Sequence, residues 1–197
     1  HKNPSEKIKE KFKYKVFPNL GLEDGAYQQA LDYLEIEDDT VLFLLHDDLI
    51  IKDWDFVNVC LDYLNSGYKI IGNGINYPLT LDPNEIKRGK RHVDRVKPEF
   101  QYLFSSPLFC YTIRESFMCI KRGDLKEIGD FEVVWEEPMP DKNGKYHIGG
   151  IGNLQQSLLG YKLTKCFGKD KFAYLSNNYQ DSNYLFECSR GKNKNKL

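Results

Sequence analysis

The sequence predicts an α/β fold, an open mixed sheet that is mostly parallel and flanked by helices. Three observations carry the prediction: a continuous apolar run at residues 40–45 (TVLFLL), a regular alternation of strand-like and helix-like segments around it, and Gly or Asn at most of the joints. At 197 residues with 41% hydrophobic positions the chain can bury one core, so residues 1–188 are expected to form a single domain. Residues 189–197 (SRGKNKNKL) read as a disordered basic tail.

Taken in order, residues 2–15 are charged, with Ile8 and Phe12 at helical spacing, and lead into a short strand at 14–18. Asn19-Leu20-Gly21 is a turn. Asp24 is placed as the N-cap of a helix reaching Leu34, with Ala26, Ala30, Leu31 and Leu34 on its inner face. The run at 40–45 reads as a central parallel strand covered on both faces. Asp53 is expected to cap a helix over 54–64, closed by Asn65-Ser66-Gly67, and residues 68–72 (YKIIG) form the next strand. Between 73 and 111 the pattern dissolves into Pro, Gly and Asn, with a basic cluster at 87–97 (KRGKRHVDRVK), as in a long ordered loop or small subdomain. A buried strand at 115–121 and a short helix at 123–128 ended by Gly129 follow. After the acidic loop Trp135-Glu136-Glu137 come a helix at 152–159, with Leu154, Leu158 and Leu159 inward, and a strand at 161–166.

Composition narrows the function classes. Lys and Arg total 28 against 29 Asp and Glu, so no global charge points to nucleic acid. The five cysteines are odd in number, scattered and never in a CxxC spacing, which argues for reduced thiols and against a disulfide framework or zinc site. No apolar run approaches the roughly 20 residues that cross a bilayer. A cytoplasmic protein is expected, with peripheral membrane contact through the basic tail left open.

Ligands of open α/β sheets bind beyond the carboxyl ends of the strands, which is where the sequence sets His46-Asp47-Asp48. Adjacent carboxylates at the end of a buried strand repel one another unless a cation lies between them. Mg²⁺ or Mn²⁺ bound through one or two carboxylates, with its shell completed by phosphate oxygens, suits a nucleoside-diphosphate site. The same two aspartates would also serve to cap the following turn.

The ordered set NLG (19–21), VLFLLHDDLII (41–51), FMCIKRGDLKEIGDFE (117–132) and LLGYKL (158–163) resembles the family 2 glycosyltransferases, over about residues 14–167. The resemblance implies the glycosyltransferase A-type fold, a Rossmann-like nucleotide-diphospho-sugar transferase architecture. It implies that Asn19 and Gly21 lie beside the nucleotide, that Asp48 ligates Mn²⁺ or Mg²⁺ with His46 standing at the first position of a DxD-like motif, and that Asp47 lies against the donor diphosphate or caps. The GDFE segment (129–132) would border the acceptor site. The implied activity is inverting, metal-dependent transfer of a sugar from a nucleoside-diphosphate sugar to a hydroxyl of a glycan or glycolipid, as in polysaccharide biosynthesis.

Two departures from the family pattern stand out. The usual strand, helix and second strand before the Asn-x-Gly turn are replaced by the segment from His1, so either the chain is a fragment or its nucleotide site is incomplete. The helix opening that carries the family's catalytic acid reads His147-Ile148-Gly149-Gly150-Ile151-Gly152-Asn153, with no carboxylate. The base of an inverting transfer is therefore sought upstream, at Glu137 or Glu136 beside the sugar-stacking candidate Trp135, with Asp141 and His147 behind them. A non-catalytic module that binds sugar nucleotide or glycan is the alternative.

Overall fold

Five consecutive residues, Phe117–Lys121 (FMCIK), set the centre of the molecule, because both faces of this strand are apolar and four of its side chains are buried. A computed structural model of the chain describes residues 22–46, 49–74, 97–104, 117–133, 152–177 and 182–187, together with 10 and 15–16. In chain order these hold α1 (Leu22–Tyr33), β1 (Val41–Leu45), β2 (Leu49–Ile51), α2 (Phe56–Asn65), β3 (Ile70–Gly72), a 3-10 segment (Pro98–Phe104), β4 (Phe117–Lys121), α3 (Arg122–Glu127), α4 (Gly152–Phe167), a 3-10 turn (Lys169–Lys171), β5 (Phe172–Tyr174) and β6 (Leu185–Glu187).

The main sheet has the order β1-β4-β3-β5, and β2 pairs with β6 in a separate antiparallel ribbon. β4 runs antiparallel to both neighbours, with Leu45 opposite Phe117 and Gly72 opposite Met118, while β3 and β5 are parallel. Thus β1, β3 and β5 point one way with β4 reversed between the first two. The fold is mixed α/β, as expected, but most pairings among the described strands are antiparallel rather than parallel.

Alternation along the strands separates two cores. Leu42, Ile70, Met118, Ile120 and Phe172 face a cluster completed by Leu31 of α1, Leu125 of α3 and Leu159 and Leu163 of α4. Ile71, Phe117, Cys119 and Ala173 face the other, completed by Phe56, Cys60 and Leu64 of α2 and by Leu185 of β6. The sheet is therefore covered by three helices on one face and by α2 with the ribbon on the other.

Several local expectations are corrected. β1 is an edge strand among the described residues, paired only with β4, and Leu45 is 37% exposed; its unbroken apolar run reflects partial cover on both faces rather than a central position. α1 begins at Leu22, so Asp24 is its third residue and is buried rather than capping, and the inner face is set by Asp24 and Leu31, with Ala26 and Leu34 exposed. α2 begins at Phe56 with Asp55 at the cap position, while the Asp53 carboxylate accepts from the Asp55 amide at 2.9 Å. Lys15 and Val16, placed in a strand by the sequence, are exposed and outside regular structure. The strand expected over 161–166 is the second half of α4. There Tyr161 and Leu163, alternating with Lys162 and Thr164, briefly imitate period two, whereas Leu159, Leu163 and Phe167 at i, i+4, i+8 pack on the sheet.

The turn after α3 is tightly specified. Gly129 and Asp130 take positive φ values of 84° and 58°, and Asp130 answers the strain with a bidentate ion pair to Arg122, in which Nη2 reaches Oδ2 at 2.9 Å. That pairing holds the Arg122 guanidinium above its ordinary pKa, against the opposing effect of burial. Cys60 and Cys119 are free and buried and Cys166 is free and exposed; Cys110 and Cys188 lie outside the described residues. Among the described residues no helix is long and apolar enough to cross a membrane.

Candidate functional site at the carboxyl edge of the sheet

Because β4 is reversed, its first residue lies at the same edge as the last residues of β1, β3 and β5. Four chain segments leave or enter the sheet there. His46 follows β1, Asn73-Gly74 follow β3, and Leu175-Ser176 follow β5, the Leu175 amide donating to the Gly72 carbonyl at 2.9 Å. With neighbouring strands about 4.8 Å apart, His46 and Asn73 stand roughly 10 Å from each other across β4.

His46 is half-buried with its Nε2 shielded from solvent, and its carbonyl accepts from the amide of Leu49, the first residue of β2, at 3.3 Å. The register of the ribbon sets Glu187 opposite Leu49. Asn73 is 3% exposed, and its Nδ2 reaches the Leu185 carbonyl at 3.5 Å, tying the end of β3 to the ribbon. Ser182, 4% exposed, takes the Leu185 and Tyr184 amides on its Oγ at 2.9 and 3.2 Å, closing the turn into β6.

Of the residues singled out by sequence, His46 is thus placed at the carboxyl edge. Asn19, Gly21, Asp47, Asp48, Glu136 and Glu137 lie outside the described residues, as do Trp135, Asp141, His147 and the basic tail. Of the basic cluster only Lys97 is described. Among the described residues no group of three or more His, Cys, Asp or Glu could hold a metal ion. A divalent cation at this edge would need Asp47 and Asp48 in addition to His46.

Sequence reasoning did not single out Asn73, Ser182 or Glu187. The signal for Asn73 was present in the Asn-Gly pair directly after an apolar strand, but such a pair also marks an ordinary turn. Ser182 and Glu187 owe their places to the β2–β6 register, which no local pattern encodes.

The GDFE segment forms one wall of a second feature, a shallow cleft of about 10 Å³ lined by Asp24, Asp130, Phe131, Glu132, Leu158, Leu159 and Lys162. Its charges are used internally: Asp130 holds Arg122, and Lys162 Nζ bridges Glu132 at 3.2 Å and the Asp130 carbonyl at 2.9 Å. Phe131 packs against Tyr27 with ring centroids 5.5 Å apart and donates its amide to Gln28 Oε1 at 3.0 Å.

Compared with protein-family models, with curated proteins and with solved structures, the chain finds no match.

Proposed function

We propose that the chain is a metal-dependent, inverting glycosyltransferase of the A-type fold, moving a sugar from a nucleoside-diphosphate donor to a hydroxyl of a glycan or glycolipid. The observation that carries the reading is the position of His46. It opens the acidic cluster His46-Asp47-Asp48 directly beyond β1, at the edge where the co-directional strands β1, β3 and β5 all end. Ligands of α/β sheets collect at such edges because loop residues converge there.

In this reading His46 and Asp48 hold Mn²⁺ or Mg²⁺ with Asp47 beside them, and Asn19 and Gly21 lie along the nucleotide. The cation, when bound, neutralises the diphosphate leaving group. Glu137 or Glu136 takes the proton of the acceptor hydroxyl as that oxygen bonds to the anomeric carbon and the diphosphate departs.

One observation favours a second reading, a non-catalytic module that keeps affinity for sugar nucleotide or glycan. α4 opens at Gly152 with no acidic residue in its first turn, where the family resemblance would set the base. Calorimetric titration with UDP and GDP, with and without Mn²⁺, tests the donor site. Metal-dependent binding lost in Asp48→Ala supports both readings, and turnover abolished by Glu137→Gln or Glu136→Gln selects the enzyme. Absence of binding to either nucleotide would sink the proposal.

A further inference from the structure

The largest apolar side chain of the ribbon turn is displayed to solvent. Trp54, between β2 and α2, is 70% exposed, whereas Phe56 two residues later is 2% exposed. Trp is highly buried on average, so an indole left this open is a candidate contact for a ligand with a flat apolar face.

The ring is held from beneath. Its centroid lies 6.1 Å from that of Phe56 in a tilted contact, and Phe56 is wedged edge-on between Phe43 and Phe117 at 5.8 and 5.7 Å. The backbone is fixed on both sides: the Lys52 and Asp53 amides donate to the Tyr184 carbonyl at 2.7 and 3.2 Å, and the Trp54 carbonyl accepts from the Val57 amide at 3.2 Å. Little ordering is left for a ligand to impose.

The rim is polar throughout. Asp53 and Asp55, both exposed, precede and follow Trp54 in the chain, and Asn58 comes one helical turn on with its Nδ2 donating to Asp55 Oδ1 at 2.8 Å. A single apolar plate edged by hydrogen-bond acceptors and an amide matches a pyranose, whose C–H face stacks on an aromatic ring while its hydroxyls reach outward. A protein partner would need a contiguous apolar patch, which the polar neighbours Lys52, Asp53, Asp55 and Asn58 deny it. Two carboxylates on the rim also disfavour uronic, sialic or phosphorylated sugars.

We propose that Trp54 is a sugar-binding platform that stacks one ring of a neutral oligosaccharide, with Asp53, Asp55 and Asn58 receiving its hydroxyls. The inference rests on the glycan acceptor of the preceding reading and names its class. Trp54 follows His46 by eight residues, so at most about 27 Å of extended chain separates them, a span within reach of a short oligosaccharide.

The test is calorimetric titration of the full chain, without nucleotide or metal, using cellohexaose, maltohexaose and chitohexaose, with hexagalacturonate and hexalysine as charge controls. At least one neutral hexasaccharide should bind, Trp54→Ala should weaken it about tenfold or more, and Trp54→Phe should restore most of the affinity. Hexagalacturonate should bind more weakly than the neutral ligands. Because Trp54 is exposed, the variants are expected to keep the parent's circular dichroism. The idea is overturned if no neutral hexasaccharide binds, if Trp54→Ala binds as the parent does, or if hexalysine alone shows a Trp54-dependent heat. Since donor and metal are absent, failure here is distinct from failure of the nucleotide site.

Discussion

At the scale of single residues, several polar side chains among the described residues hold the chain's own turns. Asp130 is the clearest case, because it occupies a left-handed conformation and neutralises Arg122, whose side chain is 9% exposed. Asp130→Ala leaves that guanidinium buried without its partner and should cost about 3 kcal/mol. Asp130→Asn, which tolerates the same backbone and keeps a hydrogen bond, should cost less; urea denaturation of the two variants checks the order. Cys60 makes a different prediction. Its thiol is hydrogen-bonded to Cys119 and removed from water, and both effects push its pKa well above the ordinary value of 9.0. Above pH 9 the unfolded thiol ionises while the folded one keeps its proton, so the unfolded state binds fewer protons and stability falls as pH rises. The contribution is full below pH 9 and declines by up to about 1.4 kcal/mol per pH unit beyond it. Cys60→Ala should flatten that part of the profile, read as the slope of denaturation midpoint against pH between 8 and 10.

At the scale of elements, α4 shows where sequence patterning succeeds and where it fails. Its first half was legible from the leucines at 154, 158 and 159, but residues 161–164 alternate apolar and polar, which imitates a strand. The tie is broken by Leu163, which is fully buried between α4 and the sheet, four residues after Leu159. Leu163→Ala should therefore cost about 2–5 kcal/mol. Leu34, assigned by sequence to an inner face, is 51% exposed just beyond α1, and Leu34→Ala should change stability by no more than about 0.5 kcal/mol. Chemical denaturation of both variants distinguishes the observed packing from the patterned one. β4 and α2 were legible because an apolar run bounded by charge, and a helix closed by Ser66-Gly67, leave little alternative. Strand direction was not legible: the reversal of β4 depends on the path of the chain between β3 and β4, which local periodicity does not report.

At the scale of the whole molecule, one thin sheet serves two cores, and the candidate site lies where that sheet ends. The location was legible, since a polar triplet directly after an apolar run marks a carboxyl edge wherever the strand sits in the sheet. Its remaining parts were not, because Asn73 and Ser182 come together only through their shared contact with the Leu185 carbonyl of β6. The same architecture bears on cooperativity. β3 and β4 send alternate side chains to both clusters, Ile70 and Ile120 to one and Ile71 and Cys119 to the other, so neither core can open without unmaking the strands of its neighbour. Removing packing from either face should lower one shared transition instead of splitting it in two. Leu64→Ala in α2 and Leu163→Ala in α4 are on opposite sides of the sheet, beyond the roughly 7–10 Å over which substitutions couple directly. Each should lower the midpoint of a single calorimetric transition, and their free-energy costs should add to within about 0.5 kcal/mol in the double variant. Two resolved transitions would mean that the faces fold as separate units, whereas a coupling well above that figure would mean that the two cores act on one another through the strands they share.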